Sequence, residues 1–282
     1  MAELLGDDSA SAQWREKADH VRNKIHEHLF DGQDFFFYDL DAKNNFVPIK
    51  TDVITRIAGE HVLDQSNFEE IWTRHLHNPN SFWTDYPFPS VAIDDPGFCE
   101  EAMERNAWAG PSMALTAMRA MRWMDFYGKS IEFATMMNRW LRGMSQSNCF
   151  PQQMDPRTGE MKVGGNYSPA MCTFVAFTSH LHGVGWTPEG FEWSCTMPEG
   201  ASMSRFELNT RHGRAELSQS PAGAQLFLNG RLILEVEGPG RVLTNHQGDF
   251  LSLTRLSHQE SCRLKDVYFE KDRAPLAHDK KR

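Results

Sequence analysis

The chain has 282 residues and a formal net charge of −9 at pH 7, which is long enough for one large domain or two smaller ones. This acidic balance argues against a nucleic-acid partner, because such a partner needs a basic stripe. No run of 18 apolar residues occurs, so we expect no membrane span. The first 12 residues are acidic and lack the apolar core of a signal peptide, and localisation stays open.

The cysteines and histidines do not form a recognisable metal or disulfide pattern. The histidine pairs are two residues apart, as in His26 and His28, and a helix would turn two such rings to different faces. No HExxH sequence occurs. We therefore expect neither a metal nor a cofactor. Five scattered cysteines without a CxxC pair favour buried free thiols, and they are Cys99, Cys149, Cys172, Cys195 and Cys262.

Up to about residue 185, apolar residues recur at helical spacing. Ser11 is the predicted N-cap of the first helix and Asn67 that of the third. The segment from Met113 to Met124 is apolar around most of its circumference, which indicates burial on two sides. A short hairpin is predicted after Gly32. The six predicted helices cover residues 11–29, 52–58, 67–76, 111–127, 130–142 and 169–182.

After residue 185 the apolar residues alternate with a period of two. Six short alternating segments are separated by turn sequences such as Asn229-Gly230, which predicts a small antiparallel sandwich or sheet. The charged tail is predicted to be disordered. The expected fold is thus mainly α, with a helical domain over residues 1–186, a β domain over 187–270 and a tail over 271–282.

Four segments of the helical half resemble the (α/α)6 six-hairpin glycosidases, in the mannosylglycerate-hydrolase-like and glucosidase group. The resemblance covers roughly residues 14–186 and keeps the order of the family's motifs. The segments are HLFDGQDFFFYDLD, HLHNPNSFWTDYPFPSVAIDDPGF, RNAWAGPSMALTAMRAMRWMDFYGK and PQQMDPRTGE. The resemblance implies hydrolysis of a glycosidic bond with inversion, by an acid and a base about 6.5–9.5 Å apart.

The resemblance places the base glutamate ahead of a D-P-x-T-G sequence, where this chain has Gln152. A neutral amide cannot take a proton from water near pH 7, so Gln152 would serve as a contact to substrate or water. Asp95 is the other catalytic candidate, although Asp95-Pro96 also fits a turn. Asp155 fits a β-turn better than a catalytic role.

Aromatic, amide and charged side chains in the same loops are the expected carbohydrate contacts, because pyranose faces stack on aromatic rings and hydroxyls need polar partners. For each of them the alternative is packing, capping or ion pairing within a loop. The predicted substrate-binding residues are Trp83, Asp85, Tyr86, Arg105, Asn106, Trp108, Gln153, Asn166 and Tyr167.

About six or seven helical patterns occur where the family's toroid has twelve, which indicates the C-terminal half of a barrel followed by its β domain. A half barrel would leave one helix face bare, and the segment from Met113 to Met124 is the expected site of self-association or partner binding.

Three functions are therefore carried forward. The first is a glycosidase-type protein that binds and hydrolyses a carbohydrate. The second is an inactive carbohydrate-binding or scaffold protein, for which Gln152 is the reason. The third is an unrelated helical interaction module.

Overall fold

A computed structural model describes residues 2–99, 108–161 and 165–268. The chain divides into two compact units, each built from two stretches of sequence. Unit 1 comprises Met1–Tyr127 and Arg142–Thr173, and unit 2 comprises Gly128–Leu141 and Phe174–Arg282. This division differs from the single boundary expected at residue 186, because two helices each contribute residues to both units. The tail predicted to be disordered lies outside the described residues.

Six α-helices occur in the described part. The first begins earlier than predicted, because the Asp7 side chain, not Ser11, accepts a hydrogen bond from the Ala10 N–H at 2.9 Å. Likewise Asp64, not Asn67, caps the third helix, which continues as a π-helix over Trp72–Leu76. The helices are α1 (Asp8–Leu29), α2 (Val53–Gly59), α3 (Gln65–Ile71), α4 (Ala114–Arg119), α5 (Ser130–Ser145) and α6 (Ser168–His182).

In its described residues, unit 1 also contains six strands of two residues each, which form three antiparallel pairs. The predicted hairpin after Gly32 is present as the pair of β3 and β4, and β2 returns to β1 just before it. The six strands are β1 (Phe30–Asp31), β2 (Phe36–Phe37), β3 (Asp39–Leu40), β4 (Phe46–Val47), β5 (Ser112–Met113) and β6 (Gln153–Met154).

The core of unit 1 is largely aromatic. Phe68 is fully buried and stacks on Tyr127 with a ring-centroid distance of 3.8 Å. Trp123 is fully buried and meets Phe68 edge to face at 5.9 Å. Such rings bury a large apolar area each and add favourable ring-to-ring geometry. These contacts tie the end of the Met-rich segment to α3.

The Met-rich segment is not one long helix, contrary to the prediction for residues 111–127. Its first residues form β5, α4 follows, and a 3-10 turn runs over Ala120–Arg122. Met113, Ala117 and Met124 are fully buried, so this segment is not the bare face expected of a half barrel. The exposed helix is α1, in which no residue is buried.

Up to residue 268, unit 2 contains nine strands in two antiparallel sheets, with strand order β15-β12-β11-β10-β9 in one and β14-β13-β8-β7 in the other. All six predicted segments form strands, and β7, β13 and β15 are additional. The strands are β7 (Val184–Trp186), β8 (Gly190–Cys195), β9 (Ser204–Thr210), β10 (Gly213–Ser220), β11 (Gly223–Leu228), β12 (Arg231–Glu237), β13 (Gly240–Asn245), β14 (Phe250–Arg255) and β15 (Arg263–Val267).

The two sheets of unit 2 share one apolar core, to which Phe191 and Trp193 contribute from β8 and Leu217 and Leu226 from the other sheet. This arrangement is the predicted sandwich. Asn229 and Gly230 both have positive φ, at 53° and 79°, as the tight turn between β11 and β12 requires.

Strands occupy nearly as many residues as α-helices, so the description of the fold as mainly α is too strong. No helix in the described part is long and apolar enough to cross a membrane. The five cysteines are free, but the expectation that all are buried is wrong, since Cys195 is buried and Cys172 is exposed.

Candidate functional site

Four short segments of unit 1 lie side by side, and they include the predicted site residues Gln152 and Gln153. The Asp52 N–H donates to the Ser90 carbonyl at 3.0 Å, and the Ser90 N–H donates to the Pro111 carbonyl at 2.9 Å. Strand β5 then pairs with β6, with Ser112 opposite Met154. We call residues 50–52, 89–92, 110–113 and 152–154 the four-segment strip. It joins positions that are up to about 100 residues apart in sequence, which the helical periodicity alone did not predict.

Both carboxylate oxygens of Asp95 accept backbone hydrogen bonds, and one of the two donors, Lys50, belongs to the strip. The Lys50 N–H donates to Oδ2 at 2.8 Å, and the Gly97 N–H donates to Oδ1 at 2.7 Å. The side chain is buried, and the Phe98 N–H donates to the Asp95 carbonyl at 3.0 Å. These contacts are those of a loop anchor, which agrees with the turn alternative for Asp95-Pro96.

Gln152 is half-buried at the end of the strip. Its carbonyl accepts a hydrogen bond at 3.2 Å from the N–H of Ala114, the first residue of α4. The backbone of Gln152 is therefore held at the start of a helix, and a fixed backbone is what a contact residue would need. Gln153 has a fully buried side chain, which removes it from a ligand-accessible surface.

The Asp155 segment is a turn, as expected from its sequence. Its Oδ1 accepts hydrogen bonds from the N–H groups of Arg157 and Thr158, both at 2.9 Å. Gly159 has a φ of +75°, and a Cβ at this position would lie 2.3 Å from Cζ of Tyr86. Tyr86 is itself buried and its N–H donates to the Pro156 carbonyl at 2.9 Å. Tyr86 therefore packs on the turn and is not placed to stack on a sugar.

Trp83 is half-buried in a group of rings. Its ring centroid lies 4.9 Å from that of His77 and 5.6 Å from that of Trp72. Asp85, two residues further on, is exposed. Trp83 thus has a packing role and can present only part of its ring, whereas Asp85 is open to solvent.

Trp108 is 40% exposed and leads into the third segment of the strip. Arg105 and Asn106, the other candidates in this loop, lie outside the described residues. Asn166 is exposed, and its Oδ1 accepts a hydrogen bond from the Phe150 N–H at 3.0 Å. The Tyr167 N–H donates to the Phe150 carbonyl at 2.7 Å. Asn166 and Tyr167 are thereby held at a residue that lies two positions before Gln152, as the sequence suggested.

Sequence reasoning missed one buried carboxylate, Asp52. Its side chain is 3% exposed, and the Thr116 hydroxyl donates to Oδ2 at 2.5 Å. Burial raises the pKa of Asp52, against the opposing effects of the Thr116 hydrogen bond and of Arg56 and Arg119. Its position just before a predicted helix resembled an ordinary cap, yet the side chain makes no capping hydrogen bond. The sequence signal for this buried carboxylate was an acidic residue directly ahead of a short apolar helix.

No group of three or more His, Cys, Asp or Glu side chains is arranged to hold a metal ion within the part of the chain that the structure describes. The described side chains around the strip include amides, aromatic rings and the exposed carboxylates of Asp85 and Asp94, the latter paired with Lys50. Such groups bind hydroxyls and sugar faces and do not by themselves supply a strong base.

Comparisons with known proteins place this chain in a family. Residues 1–169 match the mannosylglycerate hydrolase MGH1-like glycoside hydrolase domain. An uncharacterised protein of Borreliella burgdorferi is 25% identical over 135 residues, which are 46% of this chain and 27% of that protein. The chain therefore spans about a quarter of that relative's length.

Two solved structures are also similar. A sialidase superposes with a TM-score of 0.65 at 13% identity, over 83% of this chain and 24% of its own, which shows a shared fold. The GH63 mannosylglycerate hydrolase from Thermus thermophilus, in complex with Tris, has a TM-score of 0.45 at 19% identity, over 54% of this chain and 34% of its own. The family match covers more than half of the residues of this chain. This chain therefore belongs to the MGH1-like glycoside hydrolase domain family.

Proposed function

We propose that this chain carries part of an (α/α)6 glycosidase-type barrel that binds a carbohydrate beside the four-segment strip and lacks the catalytic base at position 152. The family supports a carbohydrate as the ligand. Trp108, Asp85, Asn166 and Tyr167 would contact it, with Gln152 as a neutral hydrogen-bonding group. We call these five residues the loop-end site.

The observation that carries the proposal is the amide of Gln152. A base in an inverting glycosidase must remove a proton from the attacking water, and a glutamine side chain has no basic site near pH 7. Asp95 does not replace it in this proposal, because both of its oxygens already accept backbone hydrogen bonds. Binding without base-assisted hydrolysis is therefore favoured over full hydrolysis.

Binding is tested by thermal unfolding of the chain with a panel of mono- and disaccharides, including glucose, mannose, trehalose and mannosylglycerate. A ligand of the folded state adds about 2.7 kcal/mol of stability at a hundred times its dissociation constant. Trp108→Ala should weaken the best ligand about fivefold or more, the loss of one ring contact of about 1 kcal/mol.

Trp14→Ala is the matched control, because Trp14 is also exposed but lies on α1. It should leave sugar binding unchanged. Equal binding by Trp108→Ala and the wild type, or loss of binding in both variants, would contradict the loop-end site.

A second candidate function is self-association through α1. Trp14 and Val21 are 64% and 56% exposed and lie seven residues apart, so they share one face of the helix. We infer that a second copy of the chain covers this face. Light scattering after gel filtration should show dimers that Trp14→Glu with Val21→Glu removes, while the control Leu251→Glu, at an exposed position of β14, leaves them intact. A wild-type monomer at all concentrations would exclude this function.

A further inference from the structure

Unit 2 contains a groove that is far in sequence from the loop-end site. Its volume is about 670 Å³, within the roughly 300–1,000 Å³ of small-molecule sites. One wall is α5, including Thr135 and Asn138. The other walls are the turn between β10 and β11, the turn between β12 and β13, and the segment that follows β14. We call it the unit 2 groove.

Gln219 is the residue that indicates a ligand site in this groove. It continues the inward-facing row of β10 after Ala215 and Leu217, where the pattern calls for an apolar side chain. It is only 3% exposed, and it borders the groove. An amide at the end of an apolar core row costs free energy unless its polar atoms are satisfied.

Half of that amide is used by the fold. Its Nε2 donates to the His182 carbonyl at 2.9 Å, which satisfies a carbonyl at the end of α6. A capping role therefore explains Nε2. It does not explain Oε1, which accepts no hydrogen bond from any residue in the described ranges and is not sealed from solvent. Because Gln219 borders the groove, Oε1 is the acceptor that this side chain has left for a ligand.

The other lining residues restrict the charge and the functional groups that the ligand can have. It offers hydroxyls and amides, as in Ser220, Ser257 and Asn138, and two carboxylates, Glu237 and Glu260. The described lining contains no Lys or Arg, and its histidine, His258, is already paired with Glu132 at 3.1 Å, so the groove offers little counter-charge to an anionic ligand. Glu237 is already paired with Arg263 at 2.7 Å, so its negative charge does not require a cationic ligand.

The floor beneath these polar groups is apolar. It includes Ala134, Ala224 and Leu256, all buried. A ligand that suits the groove has many hydroxyls, no net charge and apolar C–H faces, because hydroxyls can both donate to carboxylates and amide oxygens and accept from amide N–H groups.

We propose that the unit 2 groove binds a neutral saccharide of about two to three rings, with Gln219 Oε1 accepting a hydrogen bond from one of its hydroxyls. This inference does not rest on the proposed function of unit 1. The groove would hold a glycan without acting on it.

The experiment is isothermal titration of the whole chain with maltotriose, cellotriose and mannotriose, repeated with two charged probes, glucuronic acid and spermidine. Ala222→Trp places a large side chain at the exposed tip of the β10–β11 turn and should weaken binding of the best trisaccharide about tenfold or more. Ser252→Trp, at an exposed position of β14 outside the groove, is the control and should bind as the wild type does.

Gln219→Met tests the amide itself, since methionine keeps the length and removes both hydrogen-bonding atoms. If this variant fails to fold, Asn138→Ala on the exposed wall of α5 supplies the same test and should weaken binding about threefold to tenfold. Trp108→Ala should leave groove binding unchanged, which separates this site from the loop-end site.

The proposal is overturned by any of three results. They are the absence of trisaccharide binding to the wild type at about 10 mM, equal binding by Ala222→Trp and Ser252→Trp, and stronger binding of glucuronic acid or spermidine than of any neutral saccharide.

Discussion

Polar side chains have different roles in the two units. In unit 1 the side chains of Asp95, Asp155 and Asn166 all accept hydrogen bonds from backbone N–H groups, and so they shape the loops. In unit 2 Gln219 borders the groove, and its Nε2 donates to the fold while its Oε1 has no partner in the described ranges. A polar residue in a loop is therefore weak evidence for a ligand until its own backbone partners are counted.

The difference follows from how each region is built. The loops of unit 1 have few regular backbone pairings, so side chains must satisfy their N–H groups. The strands of unit 2 satisfy one another in two sheets, so an inward amide on β10 is not needed for that purpose. Substitutions at Gly159, Asp95 and Asp52 test whether side-chain contacts stabilise the loops of unit 1.

Gly159→Ala should have the largest effect. The new Cβ would lie 2.3 Å from Cζ of Tyr86 at a residue whose φ is +75°, so both a clash and backbone strain are introduced. We expect a loss of about 3 kcal/mol or more in the free energy of unfolding, measured by urea denaturation.

Gly128→Ala is the matched control, because its φ is +74° and nothing lies within 4 Å of the place that its Cβ would occupy. It should lose only the strain of a left-handed backbone, about 1–2 kcal/mol. Equal losses in the two variants would mean that Tyr86 is not packed against the turn.

Asp95→Asn should cost less, about 1–3 kcal/mol, because an amide retains one acceptor oxygen and leaves one of the two backbone N–H groups unsatisfied. Asp94→Asn is the control. Asp94 makes a surface ion pair with Lys50 at 3.2 Å, and such pairs contribute about 0–1 kcal/mol. Unfolding in urea would compare the two, and a stable Asp95→Asn protein would contradict the anchor role of this carboxylate.

Asp52→Asn should have the smallest effect, and its size depends on pH. Burial raises the pKa of Asp52 in the folded state above its ordinary value of 3.8, so the folded protein holds this proton more tightly than the unfolded chain. Ionisation therefore destabilises the fold as pH rises from about 4 through the raised pKa. The variant should be more stable than the wild type at pH 7.5, and this advantage should shrink towards pH 4.

Thermal unfolding at the two pH values measures this difference. An Asp52→Asn advantage that is constant with pH would show that the carboxyl does not titrate over this range. Thr116→Val removes the hydroxyl that donates to Asp52 and should enlarge the advantage of the asparagine, because the ionised carboxylate then loses its donor.

The elements that could be predicted from sequence are those whose pattern is local. Alternation over residues such as those of β9 and β12 predicted strands, and Asn229-Gly230 predicted its turn. Strand β13 was missed because it follows Gly238-Pro239-Gly240 directly, which indicates only a turn. The segment after Pro111 was predicted as one helix because its apolar residues surround it, yet Ser112 pairs with Met154, a contact about forty residues away.

The residues of the candidate site also divide into those that a local pattern could locate and those whose environment depends on distant segments. The motifs assigned Gln152 and Trp108 to candidate loops without any structure, and their roles in binding stay predictions. Burial of Tyr86 and Gln153 could not be predicted, because it depends on neighbours from other segments, such as Gly159 beside the Tyr86 ring. Asp52 was overlooked for the same reason, since its partner Thr116 is 64 residues away.

The central claim is that position 152 lacks a base, and a glycosyl fluoride tests it most directly. Fluoride leaves C1 without protonation, so water attack assisted by a base at position 152 is enough, and no acid from elsewhere is needed. Fluoride release from α-glucosyl and α-mannosyl fluoride would be followed with a fluoride electrode for the wild type, Gln152→Glu and the control Gln146→Glu, at an exposed residue. We predict no release above buffer for the wild type and the control, and a rise of about a hundredfold or more for Gln152→Glu. Release by the wild type that Gln152→Glu does not increase would contradict the account, because a base would then lie elsewhere.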